Sequence, residues 1–461
     1  MTKDGKIKLL ELELENAELK LANASLTKRV ASLEAKVLLL LNLIEKHGVK
    51  KDSHNSHNPP SQDKGKPKRN KSLREKTGRK PGGQQGHKGH THYHKETPDE
   101  IIELKSNFCT ACGENLSDSS HQLVSKRQLI ELPPIEPIYI QYNQYGCLCD
   151  CGHHQKANYP AGVNSYIQYG SSIISLVSYL NVFQYVPYKR LQELFKDVFQ
   201  LPISQGTIEN LLNKTAKKSN PFYEAILDQI KSANYVGSDE TGAKVNGQKW
   251  WVWVWQDLKN TFLKAAKSRG FQTVEEVLPE GLPNATLGSD RLAAQLKTTT
   301  KAKQFCLPHL FRDLNFLEEQ EQNDWSTQFK QLLKQALDLR TTAVQNNQAW
   351  KREEPKVKVV ENQLNHLLAQ TIDKEKFPQT FTFQKSMTKG RNHLFTFLYD
   401  LEVPPDNNAS ERAVRNVKVK QKISGQFKSG QDTFCVLRSI IDTLRKRELN
   451  VLEYLAKIVA I

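Results

Sequence analysis

The stretch that decides the fold is Tyr235–Trp255, YVGSDETGAKVNGQKWWVWVW. Its Asn246-Gly247 pair separates two β-prone runs, which is the sequence pattern of a tight hairpin. The second run, WWVWVW, is aromatic and β-branched throughout, so we expect a strand buried on both faces. The first run then places Asp239 on the neighbouring strand, at or near its end.

A second aspartate follows in the same kind of position. The strand-like run Thr261–Ala266 precedes a helical stretch, and ATLGSD then ends an apolar strand at Asp290. Either aspartate taken alone could be a turn or cap residue, because Asp is common at both.

An acid among basic and amide side chains comes later, in residues 404–418, PPDNNASERAVRNVK. If a helix begins after Pro405, the spacing places Glu411 on one face with Arg415 and Lys418. The alternative is an ordinary surface helix with a weak Glu/Arg pair. Two strand-borne aspartates and one helix-borne glutamate are, however, what a two-metal phosphoryl-transfer site requires, since Mg²⁺ prefers oxygen ligands.

The composition favours a polyanionic partner. The chain has 461 residues, a formal charge of +16 and 38% hydrophobic residues, so it can form several domains with a large polar surface. Nucleic acid is the first candidate. The amino terminus lacks a secretion pattern, and the longest apolar run, Val37–Leu41, is too short to cross a bilayer. We therefore expect a cytoplasmic protein that does not enter membranes.

The first segment carries a heptad repeat, which predicts a dimerising parallel coiled coil over residues 5–47. The alternative is one amphipathic helix that packs on its own domain. The d positions are Leu12, Leu19, Leu26, Leu33 and Leu40, and the a positions are Leu9, Asn16, Asn23, Val30, Val37 and Ile44.

Residues 49–97 are rich in Lys, Arg, His, Gly and Pro and nearly free of aliphatic side chains, so this stretch cannot form a core. It is a solvated linker that can also act as a basic arm along DNA phosphates, and we assign Arg79, Lys80 and Lys88 to DNA binding. The histidines between residues 87 and 94 fit a polar linker better than a metal site.

A zinc site is predicted in the next segment. Cys109 and Cys112 form a CxxC pair, and Cys149 and Cys151 form a CxC pair beyond a strand-like run. Two close thiolate pairs suit tetrahedral Zn²⁺, although the residues Cys147, His153 and His154 can substitute in the second pair. Redox chemistry is the alternative. Cys306 and Cys435 are expected to be small buried residues.

The pattern from 161 to 228 is helical. The run PYKRLQELFKDVFQ is followed by a short break and then by SQGTIENLLNKTAKK, with Ser204 as a helix N-cap. This arrangement fits a DNA-reading helix-turn-helix or a plain helical pair equally well.

The chain resembles the DDE transposases of insertion sequence 66. The resemblance covers nearly the whole chain in order, from the leucine zipper and RKPGGQQGHKGH through NYPAGV, QYVPYKRLQEL and LPISQGTI to SDETGAKV, SDRLAAQ and DNNASERAVRNVKVKQK. It implies that Asp239, Asp290 and Glu411 are a catalytic triad in a ribonuclease H-like fold with a mainly helical insertion.

The chain also departs from the family pattern. The family often has Gly and an aromatic residue after the second aspartate, where Arg291 and Leu292 stand here. The later CLPHLFRDL resembles the family's Cys/His/Arg pattern at Cys306, His309 and Arg312.

Together these observations predict a multidomain chain. Its parts are a coiled coil (1–48), a basic linker (49–97), a small Cys-rich zinc domain (98–160), a helical DNA-binding region (161–228), an α/β ribonuclease H-like catalytic domain (229–425) with a helical insertion at about 314–395, and a C-terminal helical segment (426–461).

The resemblance implies a bacterial, DNA-associated transposase that cuts and joins strands with two Mg²⁺ or Mn²⁺ ions and carries structural Zn²⁺. Glu411 would complete the metal site, while Arg412, Arg415 and Lys418 contact DNA. Its partners would be terminal repeats, target DNA, a second copy of the chain and helper proteins from the same element. The alternative is a DNA-binding regulator or catalytically inactive relic with the same architecture.

Overall fold

The computed structural model describes residues 3–46, 52, 54–56, 82, 86–89 and 92–460. The chain divides into two compact units. The sheet unit comprises Met1–Leu73, Ser171–Tyr185 and Leu212–Ile461, and the cysteine unit comprises Arg74–Gly170 and Val186–Leu211. None of the helices in the described part of the chain is both long and apolar enough to span a bilayer.

Helices and strands both contribute to the described chain. The helices are α1 (Lys3–Lys46), α2 (Ser171–Ser178), α3 (Tyr188–Phe199), α4 (Gln205–Lys231), α5 (Phe271–Val277), α6 (Ala293–Lys297), α7 (Leu307–Glu321), α8 (Asp324–Gln345), α9 (Pro355–Ala369), α10 (Pro378–Lys389), α11 (Thr396–Tyr399), α12 (Asn408–Ser424), α13 (Gln431–Lys446) and α14 (Val451–Ala460). The strands are β1 (Gly146–Leu148), β2 (His154–Lys156), β3 (Tyr235–Val245), β4 (Gln248–Gln256), β5 (Thr261–Ala266), β6 (Leu282–Ser289) and β7 (Thr300–Phe305).

The sheet unit is built on a five-stranded mixed sheet of order β5-β4-β3-β6-β7. Strand β4 pairs antiparallel with both β3 and β5, whereas β6 pairs parallel with both β3 and β7. The predicted hairpin is confirmed, because Asn246 and Gly247 connect β3 to β4 with φ of 44° and 79°, as a type I′ turn requires. The chain therefore is a mixed α and β protein, as the sequence indicates.

The tryptophan strand is buried only in part. Trp253 and Trp255 are enclosed and stack with ring centroids 5.7 Å apart. Trp250 and Trp251, at the hairpin end of β4, are partly exposed, so the expectation of a strand buried on both faces holds for Val252–Gln256 alone. The sheet is covered in its middle and open toward the hairpin.

Helix α13 covers the outer edge of β5. The hydroxyl of Ser439 accepts a hydrogen bond from the amide of Leu263 at 2.8 Å, and that of Thr443 accepts from Thr261 at 3.1 Å. These side chains replace the missing neighbour strand and satisfy backbone donors that would otherwise invite another chain to pair. The edge of the sheet is thus closed within the unit.

A buried ion pair within α13 is hydrogen-bonded to α12. Arg438 is 1% exposed and donates to both oxygens of Asp442, at 2.6 and 3.0 Å. Asp442 also accepts from the Asn416 amide at 3.1 Å, and Asn416 in turn accepts from the Tyr185 hydroxyl at 2.8 Å. Because unpairing either charge would leave the other buried, this network fixes the two helices firmly.

The segment between β7 and α12 is helical throughout and forms its own apolar core around Phe329 and Leu333. Arg340 of α8 donates to the carbonyl oxygens of Phe397, Asp400 and Leu401 at 2.6 to 3.0 Å. These bonds hold the chain where it leaves the helical segment and returns to the sheet. The predicted helical insertion therefore lies between the second aspartate and Glu411.

In the cysteine unit, β1 and β2 pair as a short antiparallel ribbon, and the turn that connects them carries Cys149 and Cys151. Helix α4 begins after Ser204, whose hydroxyl accepts a hydrogen bond from the amide of Thr207 at 3.0 Å, and the predicted N-cap is confirmed. A left-handed residue, Gln200, ends α3 before this break.

Candidate active site

Asp239 lies where β3 leaves its parallel partner. The β3–β6 ladder runs from Tyr235 to Gly237, opposite Thr286 to Gly288, and Asp239 follows two residues later. Its carboxylate accepts a hydrogen bond from the amide of Glu240 at 2.8 Å. Since side chains alternate along a strand, Asp239 shares the face of the sheet that Gly237 presents to α12.

Asp290 directly follows β6, which ends at Ser289. Strands β3 and β6 are parallel and pair as far as Gly237 and Gly288, so Asp239, within β3, and Asp290, just after β6, lie level with each other. Arg291 has a φ of 69°, the left-handed conformation that a glycine adopts without strain. An ion pair to Asp313 of α7 holds Arg291 in that conformation, which explains how a residue other than glycine is accommodated here.

Glu411 occupies the first turn of α12, as the sequence predicts. The side-chain amide of Asn407, just before the helix, donates to the carbonyl oxygen of Ser238 at 2.7 Å and so ties the helix start to β3. A Cβ on Gly237 would lie 2.6 Å from the Ser410 hydroxyl and 2.9 Å from the Asn407 side chain. Glycine at this position is therefore what allows α12 to approach β3 closely.

His309 of α7 lies between two of the acids. Its Nδ1 is 3.1 Å from an oxygen of Asp290, and its Nε2 is 3.9 Å from an oxygen of Glu411. The imidazole is 6% exposed, so these contacts are shielded from solvent. The spacing of His309 in the sequence does not reveal this role; only the return of α7 to the sheet brings the ring to the carboxylates.

Crowding changes the protonation of the site. Burial, and then the negative charges of Asp290, Glu240 and Glu411, raise the pKa of Asp239 well above its usual value. Burial also raises the pKa of Glu240, although the Arg269 guanidinium 2.6 Å away opposes that shift. Without a counter-charge, the chain therefore resists full ionisation of its acids.

The residues present fit a divalent cation. Glu411 Oε1, Asn407 Oδ1 and Ser410 Oγ are buried oxygens without a hydrogen-bond partner in the described part of the chain. Oxygen donors of this kind suit Mg²⁺ or Mn²⁺. Ligand atoms of Asp290, Cys306 and His309 also lie within 4.8 Å of one another.

Cys306 itself is a poor candidate ligand. Burial, with the nearby Asp290 charge, raises the pKa of its thiol, and the sulfur accepts a hydrogen bond from the Asn407 amide at 3.3 Å. A protonated thiol binds metal weakly. The residue instead precedes α7 as a buried cap, and Cys435 is likewise buried, as the sequence indicates.

The predicted DNA contacts occupy different surroundings. Arg412 is exposed, and the side chain of Arg415 is 70% exposed while its guanidinium approaches Glu411 at 3.5 Å. Lys418 donates to the carbonyl oxygen of Gly242 on β3, and burial lowers its pKa. Lys88, in the cysteine unit, is exposed. Arg79 and Lys80 lie outside the described residues.

The two cysteine pairs each form a tight turn. The amide of Gly113 donates to the Cys109 carbonyl at 2.9 Å, and that of Gly152 donates to the Cys149 carbonyl at 2.8 Å. Hydrogen bonds from Cys112 and Cys151 lower the pKa of Cys109 and Cys149, which favours the thiolate form. Among the described residues, the two pairs do not gather into one cluster of metal-ligand size, so the zinc site stays a prediction.

Comparison with known proteins identifies the family. The model of the Transposase IS66 family matches residues 166–433, more than half of the chain. The chain belongs to the IS66 transposase family. A second model, described as a family of unknown function, matches residues 4–93 of this IS66 transposase.

More distant comparisons add little to this assignment. No curated protein sequence matches the chain significantly. Among solved structures, the chain is similar to one described as the Mos1 transposase paired-end complex with left transposon end, at 12% identity and a TM-score of 0.12. That similarity covers 52% of this chain and 83% of the other.

Removing the Asp239 charge should stabilise the metal-free sheet unit. The folded pKa of Asp239 is raised, so its ionisation opposes folding, and the cost grows as pH rises from the unfolded value of about 3.9. We expect Asp239→Asn to raise the free energy of unfolding at pH 7 by on the order of 1 kcal/mol, with the gain shrinking toward pH 4.

Urea unfolding in EDTA, followed by tryptophan fluorescence, measures this effect, because all six tryptophans lie in the sheet unit. The matched control is Glu402→Gln, which changes an exposed carboxylate before α12 and should leave stability nearly unchanged. A destabilised Asp239→Asn variant at pH 7 would contradict the argument.

Proposed function

We propose that this IS66 transposase cuts DNA at the ends of its mobile element and joins the freed ends to target DNA in a reaction that depends on divalent metal ions. The observation that carries the proposal is the convergence of Asp239 within β3, Asp290 just after β6 and Glu411 at the start of α12, with His309 against two of them. This arrangement also supports a ribonuclease H-like fold for the sheet unit.

Asp239, Asp290 and Glu411 would hold two Mg²⁺ or Mn²⁺ ions. When bound, such ions activate the attacking oxygen and stabilise the leaving oxygen of a phosphoryl transfer. The pKa of Asp239 is raised in the metal-free chain by burial and by the negative charges of the neighbouring acids. Bound cations would supply the opposing positive charge. The protein's own contribution is a fixed spacing of oxygens at the edge of the sheet.

The proposed reaction has two displacements at phosphorus. In the first, water attacks the phosphate at the element end, the bond to the 3′-oxygen breaks, and that oxygen leaves as a 3′-hydroxyl. In the second, this hydroxyl attacks a target phosphate and displaces the target's own 3′-oxygen. One set of acids can serve both steps, because each exchanges one oxygen at phosphorus for another.

The remaining parts of the chain support DNA handling. Exposed Arg412 and Arg415 next to Glu411 would contact phosphates near the cut, while Lys88, Arg79 and Lys80 of the basic arm would bind along the DNA. The exposed d-position leucines of α1, including Leu12, support a parallel coiled coil between two copies. The cysteine turns support a structural Zn²⁺ site, and α3 with the start of α4 supports a DNA-reading helix pair.

Cleavage of a supercoiled plasmid that carries the element's flanking ends tests the function. We expect nicking with Mg²⁺ or Mn²⁺, none with EDTA, and loss of at least a thousandfold in Asp239→Asn and Glu411→Gln, because either change removes an ion ligand from the reacting centre. The Glu402→Gln variant should cut like the wild type.

Two outcomes would contradict the proposal. If both acid variants still cut the plasmid, the three acids do not take part in the reaction. End binding without cleavage by the wild type, with helper proteins of the element present, would favour a DNA-binding regulator or relic of the same architecture.

His309 is proposed as a positioning residue for Asp290 and Glu411. We expect His309→Ala to weaken Mn²⁺ binding and slow cleavage by roughly 10- to 100-fold, because outer contacts orient metal ligands. His309→Asn should recover part of the loss, since its amide can replace the nearer contact to Asp290.

Electron paramagnetic resonance of free Mn²⁺ measures the affinity without DNA or turnover. His366→Asn is the matched control, because His366 is an exposed histidine of α9. Equal Mn²⁺ affinity in His309→Ala and the wild type would show that His309 does not position Asp290 and Glu411 for metal binding.

A further inference from the structure

Three segments of the sheet unit contain no acidic residue. Residues 241–256, 258–274 and 412–431 carry two, four and six Lys or Arg side chains and not one Asp or Glu. The chain as a whole has 50 Asp and Glu in 461 residues, so segments of this combined length would hold about six at the chain's average. The absence of acids is therefore a local property of these segments.

These segments come together in space. The first contains the β3–β4 hairpin, and β5 in the second pairs with β4. The chain beyond α12 then joins the hairpin tip, because the Asn246 amide donates to the Phe427 carbonyl at 2.7 Å and the Phe427 amide donates to the Lys244 carbonyl at 2.9 Å. Gln426 adds a third bond by accepting from the Gly247 amide at 2.8 Å.

A stripe of exposed cations runs along α12 from the three acids toward this tip. Arg415, Lys418 and Lys422 follow Glu411 at spacings of three and four residues and are all exposed, so they share one side of the helix. At 1.5 Å per residue, the stripe from Glu411 to Lys422 is about 16 Å long. Lys428 is exposed just beyond the helix and extends it.

One partly exposed aromatic ring, Trp250, lies on the face of the sheet against which α12 begins. Asp239 pairs with Val254 across the β3–β4 ladder, so Trp250, four residues from Val254, lies on the same face of the sheet as Asp239. It is about 13 Å from Val254 along the strand. The Lys267 ammonium is 5.7 Å from its ring centroid. An indole flanked by cations is the usual combination for stacking an unpaired base near its phosphate.

The opposite face of the hairpin is arranged differently. Trp251 has Lys249 at 5.1 Å and Arg269 at 4.8 Å from its ring centroid, and Arg269 is paired with Glu240. Its cations are thus engaged with the ring and with an acid of the unit. On the face with Trp250, Arg415 contacts Glu411 and Lys418 donates to Gly242, whereas Lys422 and Lys428 are exposed and are the cations offered to a ligand.

Such a surface is costly unless a polyanion binds it. Like charges at successive helical turns repel one another, and although Glu411 lies against Arg415, no acid within the three segments offsets Lys418, Lys422 and Lys428. The side chains that line the stripe are long, exposed donors suited to phosphate oxygens. Because the stripe begins at Glu411, the ligand would be continuous with the phosphate held at the acids.

We propose that the α12 stripe and the face of the hairpin with Trp250, together the α12–hairpin surface, bind one unpaired DNA strand next to the cut. The stripe is long enough to follow several successive phosphates of one strand, and Trp250 stacks one of the bases. An unpaired strand is required, because a base inside a duplex presents no ring face to a side chain. This assignment rests on the proposed function, since it places the strand by reference to the three acids.

Binding of a fluorescent 12-nucleotide single strand to the full chain in EDTA tests the surface without cleavage. The Lys422→Gln/Lys428→Gln variant loses two exposed lysines. The negative slope of log K against log salt concentration should become shallower by about 1.4, at 0.7 per lost phosphate contact. Near 0.1 M salt this corresponds to a loss of roughly ten- to thirtyfold in affinity.

The matched control is Lys356→Gln/Lys358→Gln, which neutralises two exposed lysines of α9. Trp250→Ala should weaken binding of the single strand by roughly five- to a hundredfold, whereas Trp250→Phe should retain most of it. Circular dichroism and thermal unfolding check that each variant is folded, and the lysine double variant tests the surface independently if Trp250→Ala does not fold.

Binding by Lys422→Gln/Lys428→Gln that matches the α9 control in slope and affinity would overturn the proposal. So would a folded Trp250→Ala variant that binds the single strand as tightly as Trp250→Phe does. These outcomes are separate from the proposed function, which fails on the absence of wild-type cleavage and not on the affinity of these variants.

Discussion

The structure depends on one electrostatic constraint: three carboxylates must be held together where water reaches them poorly. Burial and mutual repulsion raise the pKa of Asp239, so the cluster is unfavourable by itself. Backbone geometry brings the groups together nonetheless, because the parallel pairing of β3 with β6 stops just before Asp239 and Asp290 and α12 starts against β3. Gly237 allows that contact, and His309 lies against the two acids that are not on β3. A site assembled at this cost is typical of one built to bind cations.

The elements around the site serve to keep these positions fixed. The Arg438–Asp442 pair and Asn416 join α13 to α12, and Arg340 returns the helical segment to the sheet just before Glu411. None of these side chains contacts the acids. Their effect is to make the start of α12 a fixed point, so that a carboxylate from residue 411 meets aspartates more than a hundred residues earlier in the chain. Rigid support of this kind is what a reaction that depends on oxygen spacing needs.

Local patterns predicted much of this arrangement. The Asn246-Gly247 turn, the strands that carry Asp239 and precede Asp290, and the helix that carries Glu411 follow from turn chemistry and periodicity. The position of His309 cannot be predicted in this way, because nothing within α7 shows that its first turn packs against two distant acids. Lys418 is a similar case: its charge predicted a phosphate contact, whereas the fold also gives it a carbonyl on β3. The partial exposure of Trp250 was missed because the residue composition of β4 does not show where its neighbours end. Contacts between distant segments decide all three.

The central claim is that Asp239, Asp290 and Glu411 act together as one divalent-cation site. Isothermal titration of the full chain with Mn²⁺, in the absence of DNA, tests it most directly when the wild type is compared with Glu411→Gln and with Glu402→Gln. We expect Mn²⁺ binding in the wild type and in Glu402→Gln to be the same, and we expect Glu411→Gln to lose at least one ion or to bind at least tenfold more weakly. Equal stoichiometry and affinity in all three proteins would show that the acids are neighbours without forming a metal site, and would contradict the account.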